Sequence, residues 1–208
     1  MMRAIALLRE ELAEIAFDGP RARIATAAAL STSLAVLLAL WLRVDAVWWA
    51  GISGFACSQA NRPASLSRAT YRVLGTLLGG AVGLLAVALL IDDRAACLLF
   101  LLCCGITGVL GMDCSPHSYA WLLGGVTASM VVTSSMAEAG LAVHIAAYRC
   151  GETTVGAVAA LVVAFVLADP VAAPAAGAPP LPWREALTLD SPVFAHAVRT
   201  GFTLHLVL

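Results

Sequence analysis

No lysine occurs in this 208-residue chain, whose formal charge of -1 sets 12 arginines against 13 acids. Without a basic excess the chain has nothing to hold a nucleic acid partner. Charged residues make up only 12% of the chain, about half of the roughly 25% typical of soluble domains. Hydrophobic residues reach 61% and the mean hydropathy is +0.92. An ordinary soluble domain is thereby excluded, and the lipid bilayer becomes the first expected partner.

The motifs of chemistry are missing too. None of the cysteines, Cys57, Cys97, Cys103, Cys104, Cys114 and Cys150, has the C-x-x-C spacing of a zinc or redox site, and five lie in or beside apolar stretches. They read as small packing residues. There is no nucleophile elbow, phosphate-binding glycine loop or HExxH. No enzyme, metal or cofactor is expected, and any transport would draw on an ion gradient or a partner. Asp113 and His117 bracket a turn, are expected to be exposed, and join no ligand set. The amino end lacks the apolar core of a signal peptide, because Arg3, Arg9, Glu10, Glu11 and Glu14 interrupt it. Residues 1–20 instead suit an amphipathic segment on the cytoplasmic membrane face.

What is abundant is uncharged sequence. A bilayer core of about 30 Å needs roughly 20 apolar residues in a helix. Runs at residues 24–42, 46–60, 73–91, 95–112, 119–136 and 153–168 predict an all-α integral membrane protein with about six transmembrane helices over residues 21–169. The second run is short and begins with Trp48 and Trp49, which suit the headgroup interface. Residues 58–72 carry Gln59, Asn61 and three arginines and read as a loop, while the charged turn near Glu152 is placed at the start of the sixth span. Residues 170–190 read as an Ala/Pro-rich linker, and residues 191–208 as the start of a second membrane half that breaks off early. With the amino terminus inside, nine arginines fall on the cytoplasmic side and three outside, which favours that orientation.

A shift of 77 residues lays Tyr71, Arg72, Thr76, Gly79, Leu84 and Leu90 on Tyr148, Arg149, Thr153, Gly156, Leu161 and Leu167. A three-span unit repeated once inserts its two copies in opposite directions, giving the inverted repeats found in secondary transporters.

Several residues stand out within this plan. Gly75, Gly79 and Gly83 recur at four-residue spacing, baring one helix face for close packing or, alternatively, for a substrate path; Gly156 matches Gly79 in the repeat. Arg62, Arg68 and Arg72 gather before the third span, where they serve topology and lipid phosphate binding or attract an anionic substrate. Glu152 is the proton-coupling candidate, because a carboxylate at bilayer depth costs roughly 2.5–3.5 kcal/mol. Arg149, three residues earlier, can neutralise it instead.

The block from Trp48 through Gln59, Arg62 and Ser65 to R-V-L-G-T-L-L-G at residues 72–79 resembles the fusaric acid resistance (FUSC) family, which includes aromatic acid exporters. Trp49, Ala50, Arg68, Arg72, Gly75, Thr76 and Gly79 occupy the positions of its pattern. The resemblance is strong over about residues 20–92, and residues 191–199 are similar to the lead into the family's second membrane half. It implies a component of an inner-membrane exporter of aromatic carboxylic acids or related organic anions, driven by the proton gradient. A periplasmic adaptor protein is an implied partner, and apolar, glycine-rich surface suits a homo-oligomer. The alternative is a non-transporting scaffold that assembles through the glycine faces.

Overall fold

The computed structural model describes residues 19–168, 181–188 and 191–207. The amphipathic segment, apart from its last residues, and most of the linker lie outside them. The elements are α1 (Pro20–Trp41), α2 (Val47–Cys57), α3 (Arg62–Leu90), α4 (Arg94–Cys114), α5 (Ser118–Ala137), a 3-10 turn (Ala139–Leu141), α6 (Ala142–Leu167), the short α7 (Trp183–Ala186) and α8 (Pro192–Val207). The described residues contain no strand, and the chain is an all-α membrane protein.

Five helices, α1 and α3 to α6, are long and apolar enough to cross a membrane. The second expected span is not. Its helix α2 has 11 residues, a rise of about 16 Å against the roughly 30 Å of hydrocarbon. Residues 58–61 continue from it as irregular chain, bonded within the protein. The Gln59 amide donates to Ser65 Oγ (3.0 Å), and Gln59 Nε2 donates to the carbonyls of Ser58 (2.8 Å) and Ala56 (3.3 Å). Non-helical backbone near lipid is tolerated when its polar groups are satisfied in this way.

Two boundaries correct the reading from sequence. Residues 58–72 are a loop only as far as Asn61, whose side chain accepts from the Ala64 amide (2.9 Å) and caps α3, with Pro63 in the first turn. The polar residues that follow are helical, and Ser65 and Arg72 turn inward. Removing this cap by Asn61→Ala should cost about 1 kcal/mol. That would appear as a fall of about 2–4 °C in the unfolding temperature in detergent; no change would mean that Pro63 and packing set the boundary alone. The second correction concerns α6, which runs unbroken from Ala142 to Leu167. Arg149 and Glu152 therefore lie mid-helix, about 10 and 15 Å along from Ala142. Pairing of the two charges lets the helix continue through them.

Alanine and glycine dominate the core, as expected where helices associate by close backbone approach. Helices α3 and α6 run antiparallel, with Ala69 packed near Ala157 and Ala160 at one end and Leu84 and Val87 near Ala142 and Ala146 at the other. Each also packs on a helix from the opposite half of the chain, α3 on α5 and α6 on α2. Helix α1 packs on α2 and α6, and α4 packs on α5 but meets α3 only near their connecting turn, at Ala86, Cys97 and Leu101. Helix α8 lies on α4, where Val193, Phe194 and Ala197 meet Leu110 and Cys114.

Candidate functional site

The helix pair α3–α6 brings the chain's buried charges together. Arg72, on the face of α3 that continues to Gly75 and Gly79, is 6% exposed. Its Nε donates to Ser53 Oγ on α2 (2.9 Å), and its Nη1 donates to the Tyr119 hydroxyl at the start of α5. Among the described residues no carboxylate forms a salt bridge with it. On α6, Arg149 Nη1 bonds Glu152 Oε2 at 3.0 Å, and Glu152 is 1% exposed. The Arg149 guanidinium lies 3.7 Å from the centre of the Trp49 ring, a close cation–π contact. Its Nε is buried without a partner. Arg72 and Arg149 are within Coulombic range of one another. Glu152 is thus paired with Arg149, while Arg72 is held by neutral hydroxyls at a depth where charge is costly.

The remaining expected residues fall in distinct places. Arg68 is exposed, with its guanidinium 4.3 Å from the centre of the Tyr119 ring. Arg62 lies at the far end of α6: its Nε donates to the Ala168 carbonyl (3.2 Å), beside the bond from Arg23 Nη2 to the Leu167 carbonyl (3.0 Å). Cations there satisfy the last carbonyls and the helix dipole. Trp48 is largely exposed, while Trp49 covers Arg149. Gly75 and Gly79 press on the α5 backbone at Ala120 and Gly124, Gly83 presses on Ala128 and Val131, and Gly156 presses on α2 at Ala50 and Ser53. The glycine face of α3 is therefore occupied by α5.

Asp113 and His117 are exposed, and the His117 ring meets Tyr71 edge-on at 4.9 Å. No group of three His, Cys, Asp or Glu side chains among the described residues could hold a metal. Between α3, α4 and α5 lies a cavity of about 370 Å³, lined by Gly75, Gly79, Cys104, Thr107, His117 and Trp121 among others.

Ser53, Tyr119 and the stacking of Trp49 escape the reading from sequence. Tyr119 is 47 positions from Arg72, so no local spacing links them. For α2 a signal exists: Trp49 and Ser53 are four apart, on one helix face.

This is a small-residue helical core with ionised groups at its centre, the architecture of a multi-pass membrane protein. Residues 22–178 match the fusaric acid resistance protein family, and the chain belongs to it. It is 33% identical over 161 residues to the p-hydroxybenzoic acid efflux pump subunit AaeB of Edwardsiella ictaluri, covering 71% of this chain and 24% of that protein. The Edwardsiella tarda subunit of the same name is 33% identical over 167 residues, or 74% and 25% of the two chains. For the Escherichia coli K12 subunit the figures are 30% over 152 residues, 67% and 23%. The matched region thus spans about a quarter of these relatives. No solved structure matches the chain.

Proposed function

We propose that the chain forms part of a bacterial inner-membrane exporter of small organic anions, aromatic carboxylates foremost. The observation that carries this reading is Arg72, a buried guanidinium with no carboxylate partner among the described residues. An arginine held at depth by neutral hydroxyls from two other helices keeps its charge available for an anion. Family membership and the names of the relatives support the substrate class.

In this reading the amino terminus is cytoplasmic, Arg68 and Arg72 draw the anion inward from that side, and the proton gradient supplies the energy with Glu152 as proton carrier. A monoanion leaving a negative-inside cell also gains about 2.3 kcal/mol per 100 mV. A periplasmic adaptor and further copies of the chain are the partners. The scaffold alternative is weakened, because the glycine face it needs is covered by α5.

The test is Arg72→Gln in the whole protein, with efflux of preloaded p-hydroxybenzoate measured at matched membrane levels. Removing one side of a buried, hydrogen-bonded charge contact costs roughly 2–5 kcal/mol, so efflux at low substrate should fall about thirtyfold or more. Unchanged efflux would remove Arg72 from the site and the proposal with it.

A further inference from the structure

The 77-residue shift pairs α1–α2–α3 with α4–α5–α6, and most of the packing follows that pairing. Helix α1 packs on α2 as α4 does on α5, and α6 packs on α2 as α3 does on α5. The matched arginines follow it as well: Arg72 lies under Tyr119 from α5, and Arg149 lies under Trp49 from α2. One pair breaks the correspondence. Helix α1 is packed on α6, whereas its counterpart α4 meets α3 near their connecting turn, where Cys97 and Leu101 pack on Ala86, and parts from it further along to leave the 370 Å³ cavity.

The closed side also holds an unmet polar group on α1. The two buried side-chain atoms without a hydrogen-bond partner, among the described residues, are Ser31 Oγ on α1 and Arg149 Nε on α6. Ser31 is 0% exposed, and its carbonyl lies against Gly54 of α2, the helix that also touches Gly156. In the repeat it corresponds to Gly108, next to Thr107 on the wall of the open cavity. A buried orphan such as Ser31 Oγ calls for a physical reason, and a second state in which the α1 side of this seam is wet supplies one.

The open cavity has the chemistry of an amphipathic anion site. Its walls are largely apolar, its volume lies in the roughly 300–1,000 Å³ range of small-molecule sites, and its few polar linings include Thr107 on α4 and His117 at the start of α5. At the His117 end, Arg68 and Arg72 both approach the ring of Tyr119, the residue before the lining Ala120. Asp113, exposed at the end of α4, is the nearby carboxylate in sequence.

We propose that the α3–α4 cleft is the seat of a single aromatic monocarboxylate, ring between the helices and carboxylate toward His117 and the arginines. The α1–α6 seam is its counterpart, closed here and opened in alternation with it. The inference rests on the export reading and adds the binding place and the moving helices, α1 and α4. Inverted repeats produce opposite-facing states when their halves exchange conformations.

The experiment reads thiol accessibility in the whole protein in native membranes by peptide-resolved mass spectrometry after N-ethylmaleimide. Native Cys104, resolved from its exposed neighbour Cys103 by fragment ions, reports the cleft, and Ser31→Cys, a near-isosteric change, reports the seam. At ten times its half-saturating concentration, p-hydroxybenzoate should slow Cys104 labelling about tenfold by mass action. The uncharged p-hydroxybenzyl alcohol should not, and labelling of the thiol introduced by Ser31→Cys should rise with the acid present. The site is overturned if the acid gives no protection, if the alcohol protects equally, or if Cys104 stays unlabelled while exposed Cys103 reacts. Protection without a change at the seam overturns the alternation, and a variant that does not accumulate leaves the Cys104 measurement to decide the site. Protection in a protein that shows no efflux would refute the export reading while leaving the site, and efflux without protection would do the reverse.

Discussion

Replacing Gly79 by leucine should leave α3 unable to close on α5, giving a chain that loses its folded state in detergent. A Cβ at this position would overlap the Gly124 carbonyl oxygen, with the Gly124 Cα 2.8 Å away. Overpacking commonly costs about 1–3 kcal/mol when side chains can shift. Here the obstacle is backbone on a facing helix, which moves only if the helices part. Parting them would also disturb the seams at Gly75, where a Cβ would lie 2.6 Å from the Ala120 carbonyl oxygen, and at Gly83. The expected loss therefore exceeds that range. Gly80→Ala is the control, since its nearest contacts, Ala146 Cβ and Cys150 Sγ, lie at 3.8 Å. Thermal unfolding and size-exclusion profiles should separate the two variants. A monodisperse Gly79→Leu protein with an unchanged unfolding temperature would show that the α3–α5 seam is looser than the structure has it.

Glu152→Gln should be nearly as damaging, for an electrostatic reason. The carboxylate is the one salt-bridge partner of Arg149 among the described residues. Its loss leaves the buried Arg149 without its carboxylate while Arg72 stays buried nearby. Breaking a buried pair by removing one partner costs roughly 3–5 kcal/mol, whereas replacing both partners with well-packed neutral residues is often neutral or stabilising. The double change Arg149→Met with Glu152→Gln should therefore recover most of the stability lost by the single one. The same pair of variants probes the energetics of export. If Glu152 carries the proton, both should lack efflux although the double variant is folded; efflux by the double variant would remove the carrier role. A single variant as stable as the parent would mean that water already screens the pair.

Much of the fold was legible because hydrocarbon imposes a simple length rule. The runs near residues 24–42, 95–112 and 119–136 correspond to α1, α4 and α5 with ends displaced by a few residues, since an uncharged stretch has no alternative to the helix at that depth. The same rule misplaced α3 and α6. It treats an arginine as a boundary, and Arg72 and Arg149 are interior because Ser53, Tyr119, Glu152 and Trp49 surround them. Those partners come from other helices or from a face that hydropathy does not distinguish.

The sequence by itself determined that the chain lives in a bilayer, roughly how many times it crosses, and which residues were unusual enough to carry function. Composition, run length and the 77-residue spacing are properties of the chain alone. Only the tertiary structure decided that α2 is a half-length helix, that Arg62 caps α6 while Arg72 is buried, and that α4 parts from α3 where α1 closes on α6. Each of these depends on contacts between residues far apart in sequence. In a core of alanine and glycine such contacts are set by how closely backbones approach, a distance that no local pattern records.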